Sequence, residues 1–260
     1  MTKKQKEGIF RHLTDWSEER KLTLLLLALI FDTVIVYPLV SVVQSMVVVQ
    51  IINSAITSVI FLLGLVALTR HKVNQAVIGA VVLTAISVHL LRLIFGAQWL
   101  WVWESSLALV TIIIFVYLIL KYVFKEGLVN RQRIEGAVAA YLMISLAFAA
   151  SYHLISFLIP GAFKFPDKPP KIDDPRFGYI FHYFSISTIT TLGYGDIVPV
   201  HPFARTLATT EALVGQLYPA ILLARLVSLS VIDRATHSDP NRPPASTEAM
   251  RNHKEGGKVP

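Results

Sequence analysis

Cysteine is absent from the 260 residues, which removes disulfides, thiolate metal sites and cysteine nucleophiles from consideration. Charge is scarce as well. Asp, Glu, Lys and Arg make up only 16% of the chain and avoid its long middle runs. A soluble domain carries roughly a quarter charged residues. Internal repeats of roughly 20–50 residues are missing too. So are a nucleotide-binding motif, metal-ligand spacing and any catalytic constellation, so nothing points to an enzyme, and neither a cofactor nor nucleic acid is implied.

What fills the chain instead is apolar. Hydrophobic residues supply 54%, and the mean hydropathy is +0.57. A helix needs about 20 apolar residues to cross about 30 Å of hydrocarbon. Six such spans can be read: Leu22 to Val43, Met46 to Leu68, Asn74 to Gly96, Leu100 to Val123, Ile134 to Ile159 and Phe203 to Ile232. The first follows a strongly charged stretch of about 20 residues and is too long for a signal-peptide core, so it counts as a span.

Lys and Arg outnumber acids to give a net charge of +7, and their placement sets orientation. Basic residues crowd the N-terminus (Lys3, Lys4, Lys6, Arg11), the "TRHKVN" link, the link holding Lys125, Arg131 and Arg133, and the tail. The two intervening short links, "SVVQS" and "GAQW", carry none. With alternating spans, every basic segment falls on one side, which places both termini in the cytoplasm. Trp99, Trp101 and Trp103 read as an outer interfacial belt.

The link between spans five and six differs. It begins Pro-rich with mixed charge, continues as the aromatic "RFGYIFHYFSISTITT" and ends in "LGYGDIVP". Asp174 before Pro175 reads as an N-cap and first helical position. The helix from Pro175 to about Thr190 is too short to cross the bilayer and reads as re-entrant. Irregular backbone after it can sit at membrane depth only if protein buries it or it lines a wet cavity.

Here the string Thr188-Ile189-Thr190-Thr191-Leu192-Gly193-Tyr194-Gly195-Asp196 resembles the selectivity filter of potassium channels, and the order of elements from Ile134 to Ile232 is similar to that family's pore module. The resemblance implies an all-α membrane protein: six transmembrane helices, a re-entrant pore helix, and a filter completed by four identical subunits. It implies K⁺ binding at Thr191, Leu192, Gly193 and Tyr194, with Gly195 completing the filter. Physics supports these residue types. A dehydrated K⁺ needs a cage of carbonyl oxygens that four copies can supply, and Gly193 and Gly195 tolerate backbone angles that side chains disfavour. Asp196, Tyr183, Ser187, Thr190 and Glu211 would support the filter. Leu192 stands where the family commonly has Val or Ile. Tyr183 and Phe184 replace two Trp of many members. Ser187 replaces the Glu of some, so no carboxyl pair is expected behind the filter. A Tyr183 hydroxyl bond to Asp196 is expected.

Within span six, Gly215 and Pro219 lie one turn apart, as a pivot or as a static kink. Gln216, Pro219, Leu223 and Val227 share a face that the resemblance assigns to the cavity and gate. Glu211 either braces the filter through pore-helix hydroxyls such as Ser185 or Thr188, or faces the cavity as an ion site. Arg225 is expected to snorkel to the cytoplasmic boundary.

Four spans before a pore module resemble voltage-gated channels, but the fourth has no basic residue before Lys121, so steep voltage dependence is not expected. Asp32 with His89, and Arg92 with Glu104, make reasonable polar pairs inside the bundle. His89 either titrates as a pH sensor or only holds the bundle together.

The chain thus divides into an N-terminal segment 1–21, a bundle 22–124, a basic linker 125–133, a pore domain 134–232 and a polar tail 233–260. The expectation is a homotetrameric, K⁺-selective, passive channel of a prokaryotic inner membrane, with anionic lipid at the basic linker. The alternatives are a weakly selective monovalent cation channel, or a non-conducting membrane sensor or partner protein with a pore-like fold.

Overall fold

The structure, a computed structural model, describes residues 21–43, 45–68, 79–80, 83–88, 91, 98–125, 130–167, 174 and 176–237. Among the described residues, five helices are long and apolar enough to cross a membrane. They are α1 (residues 21–42), α2 (Met46–Leu68), α3 (Gln98–Val123), α4 (Arg131–Leu158) and α6 (Pro202–His237). The short helix α5 (Arg176–Ile189) lies between α4 and α6. Residues 83–88 are helical inside the third expected span, most of which lies outside the described residues. The protein is an all-α, multi-pass membrane protein, apart from two short strands. β1 (Phe163–Lys164) pairs antiparallel with β2 (Val198–Pro199), Phe163 opposite Pro199. That pairing closes the long loop containing α5 into a frame.

Helix α1 carries a π-helical turn at Asp32–Val36 before its last turns, Tyr37–Val42. A π turn adds a residue to the helical repeat and often marks a functional position. Helix α4 is capped by Asn130, whose side chain accepts from the Arg133 amide at 3.0 Å. Arg133 Nη1 also donates to the Lys125 carbonyl at 2.8 Å, so the basic linker is tied to the helix it precedes. Thr23 donates to Glu135 at 2.5 Å and links the start of α1 to α4.

Helices packing in lipid gain nothing from expelling water, so close fit decides their contacts. Ala137, Ala140 and Met143 of α4 make a flat strip that receives Ile112, Phe115, Ile119 and Val123 of α3. Leu25 and Leu29 of α1 complete that core. A second core is aromatic: Tyr152, Phe163, Phe177, Phe181 and Phe184 join α4, β1 and α5. A third joins Val36, Val40 and Val49 to Tyr179, placing α1 and α2 against α5.

One face of α6 stays open. Phe203, Leu213, Leu217, Ile221, Leu223 and Val227 are exposed in the single chain.

Candidate functional site: the loop after α5

Asp174 starts α5. Its Oδ1 accepts from the Arg176 amide at 2.9 Å, and the Arg176 guanidinium forks onto both carboxylate oxygens, Nη2 at 2.5 Å. Burial pushes Asp174 up, but the hydrogen bonds and charge of Arg176 more than offset this and hold it below its usual 3.8. Pro175 lies outside the described residues.

At the other end, the backbone turns sharply. Thr191, Gly193 and Gly195 have φ of 59°, 58° and 77°. These alternate residues are left-handed, which is routine for Gly and rare for a β-branched residue. Sequence reasoning foresaw the two glycines and missed Thr191, because nothing in a Thr side chain advertises a positive φ.

The amide bonds then fix where the carbonyls go. Gly193 N donates to the Ser187 carbonyl at 3.1 Å, and Tyr194 N approaches Ser187 Oγ at 3.5 Å. In a trans peptide, N–H and the preceding C=O point opposite ways. The Leu192 and Gly193 carbonyls therefore point away from α5, toward the open side. Residues 190–196 are all exposed there. Ser187, itself buried, holds the loop with both its carbonyl and its hydroxyl. Thr190 is turned back, its hydroxyl donating to the Ile186 carbonyl at 2.6 Å.

Behind the loop, Tyr183 Oη donates to Asp196 Oδ2 at 2.8 Å. The Tyr183 ring stacks on Tyr194 at 6.3 Å and on Tyr37 of α1 at 6.0 Å. The role of Tyr37 was not foreseen; its signal would have been a lone tyrosine near the end of an apolar span.

Glu211 is fully buried. Tyr152 Oη donates to its Oε2 at 2.5 Å, and the Ser185 hydroxyl contacts Oε1. Ser185 also reaches the Ser145 carbonyl at 2.7 Å and, having one proton, satisfies one acceptor at a time. Thr188 does not reach Glu211; it donates to the Phe184 carbonyl at 2.8 Å. Tyr152, the partner missed from sequence, is 59 residues away.

Gly215 faces inward, not toward the open face. A Cβ there would lie 2.7 Å from the Ile189 carbonyl carbon and closer still to its oxygen. The end of α5 rests on this glycine, and Tyr141 Oη donates to the same carbonyl at 3.0 Å. Gln216, Leu223 and Val227 lie on the exposed side, Pro219 at its half-buried edge. Arg225 contacts the Phe124 carbonyl, with its guanidinium 5.1 Å over the Phe124 ring.

Asp32 faces His182 of α5, Oδ2 to Nδ1 3.7 Å. His89 and Arg92 lie outside the described residues. Glu104 lies beside Ser58 and Ala85.

Residues 141–231, which span this whole arrangement, match the family model described as "Ion channel". The matched stretch is therefore an ion-channel module. The chain is similar to the inward rectifier potassium channel Kirbac3.1 of Paramagnetospirillum magnetotacticum, 36% identical over 81 residues. These cover 31% of this chain and 24% of that protein. It is also similar to Protein LctB of Bacillus caldotenax, 33% identical over 89 residues, 34% of this chain and 64% of that one. The chain thus spans less than two thirds of either relative's length. No solved structure matches it.

Proposed function

We propose that four copies of this chain form a potassium-selective channel that conducts passively across the membrane. The observation that carries this reading is the loop backbone: every second residue left-handed, amides tethered to Ser187, carbonyls of Leu192 and Gly193 turned to the open side. Four such strands around an axis would supply rings of oxygens for K⁺, the cargo, at Thr191, Leu192, Gly193 and Tyr194. Helix α5 ends at the inner side of that loop, where its negative dipole end favours a cation. The open face of α6 and the exposed loop are the surfaces such a tetramer would cover. The similarity to a protein named as a potassium channel favours K⁺ as the cargo. Asp196, Tyr183, Ser187, Thr190 and Glu211 would hold the filter. Gln216, Leu223 and Val227 would line the inner cavity, where an apolar ring can gate by dewetting. The absence of basic residues along α3 before Lys121 supports weak voltage dependence. We place the protein in a prokaryotic inner membrane with both termini cytoplasmic and the basic linker on anionic lipid.

Rubidium flux into proteoliposomes tests this, with reversal potentials giving the K⁺ to Na⁺ ratio. Flux favouring K⁺ over Na⁺ and abolished by Gly193→Asp is expected. Flux unchanged in Gly193→Asp, or none under any condition, would reject the channel. A ratio near one would leave a weakly selective cation channel in its place.

A further inference from the structure

A cavity of about 190 Å³ lies between the bundle and α5, outside the conduction machinery. By liquid volume it has room for roughly six waters. All five helices before α6 wall it: α1 with Asp32, α2 with Asn53 and Phe61, α3 with Ile112, α4 with His153, α5 with Tyr179 and His182. Most of the wall is apolar, and the polar groups converge at one end. Asp32 is buried and opens the π turn of α1. Its approach to His182, 3.7 Å, is too long for a hydrogen bond. Tyr179 gives its proton to Asn53 Oδ1 at 3.3 Å, so Tyr179 and Asp32 offer oxygens as acceptors.

The chemistry of this lining selects its guest. A carboxylate repels anions and, at membrane depth, is stabilised by a cation. A metal ion needs several oxygen ligands, and here one carboxylate stands among apolar walls. An ammonium nitrogen needs few acceptors, and the aromatic rings of Phe61 and Tyr179 belong to the same lining. We propose that the cavity binds a small lipophilic ammonium ion, a protonated amine on a single ring or short alkyl chain, with its nitrogen on Asp32 and its carbon body between Phe61 and Ile112. The titratable groups that line the cavity are Asp32 of α1, His153 of α4, and Tyr179 and His182 of α5; α2 and α3 add none among the described lining residues. Protonating either histidine, or Asp32, opposes the guest, so binding weakens in acid.

The site sits where the first span meets α5. Asp32 touches His182, and one π turn later Tyr37 begins the ring stack through Tyr183 to Tyr194. Occupancy thus bears on the loop after α5 without entering the ion path.

Binding is tested on the full chain by thermal unfolding in detergent with phenethylammonium chloride, against the neutral 3-phenylpropan-1-ol. This readout does not depend on conduction, so it stands or falls apart from the channel reading. The amine is expected to raise the unfolding temperature by roughly 5 °C at about 100 times Kd, and the alcohol by much less. The amine shift is expected to fall at pH 5 and to vanish in Asp32→Asn. Ala150→Leu, which fills the cavity and keeps Asp32, is expected to abolish it too. It serves as the test if Asp32→Asn does not fold. No shift with the amine in the wild type, an equal shift with the alcohol, or a shift that survives in either variant would overturn the site. In the flux assay, an amine effect lost in Ala150→Leu agrees with it, whereas an effect retained there is block of the pore itself and counts against it.

Discussion

A methyl group built on Gly215 would overlap the Ile189 carbonyl, and the atom it meets is backbone, which cannot rotate away. Two effects of Gly215→Ala then oppose each other. Ala favours an exposed helix by about 1 kcal/mol. Overpacking a tight contact typically costs about 1–3 kcal/mol, and the upper end applies where no side chain can yield. The second wins, so Gly215→Ala is expected to lower thermal stability by a few degrees and to displace the end of α5, reducing flux at least tenfold. This separates close approach from a hinge. A pivot glycine replaced by Ala would change gating and leave stability intact or improved; that result, read by thermal unfolding alongside flux, would reject close approach. From sequence, Gly215 and Pro219 one turn apart suggested a bend in the helix. Only the packing of α5, 26 residues earlier in the chain, discloses what the glycine accommodates.

At the scale of elements, α5 was legible because its start is written in local chemistry. Asp174 caps it and Arg176 locks the cap. The sign of its pH dependence follows. Asp174 is held below its ordinary 3.8, so its contribution is fully present above that value and is lost as pH falls through the lower, folded value. Between pH 5 and 8 nothing should change. Below about pH 4 the start of α5 should loosen. Asp174→Asn keeps an oxygen for the Arg176 amide and removes the carboxylate, so its stability should be lower at neutral pH and flat through the acid range. A variant as acid-sensitive as the wild type would show that other carboxylates govern the acid response. The spans were legible for the same local reason: Met46–Leu68 has the bounds its apolar run suggested. The π turn of α1 was not, since no residue type in "DTVIV" encodes it. Asp32, Val36 and Tyr37 instead meet α5, and that distant surface selects the distortion.

At the scale of the molecule, the polar residues pair in ways that one-dimensional spacing hides. Asp32 joins a residue 150 positions on, and Glu211 joins Tyr152 and Ser185 on two other helices. Arg225 is the strongest case. Its place near the end of a span suggested a side chain reaching for the membrane boundary, yet it contacts the Phe124 carbonyl 101 residues earlier and covers the Phe124 ring. Phe124 lies between the end of α3 and the basic linker, whose Arg133 is bonded in turn to Lys125. The part of α6 that carries Arg225 is thereby fastened to the joint between α3 and α4. A hydrogen bond from a charged donor contributes about 1.5–3 kcal/mol, and the ring contact adds about 0.5–1 kcal/mol. Removing both, about 2–4 kcal/mol together, should make local opening of the joint easier by roughly one and a half to three orders of magnitude, since about 1.4 kcal/mol is a factor of ten. In Arg225→Gln, amide hydrogen exchange at Phe124 and Lys125 is therefore expected to accelerate by roughly 30–700-fold, while the amides of α5 keep their protection. Arg225→Lys should fall between, because it keeps the charge and loses the planar fork. Uniform acceleration across α4, α5 and α6 would mean that Arg225 supports the whole fold, and the joint would then have no separate fastening.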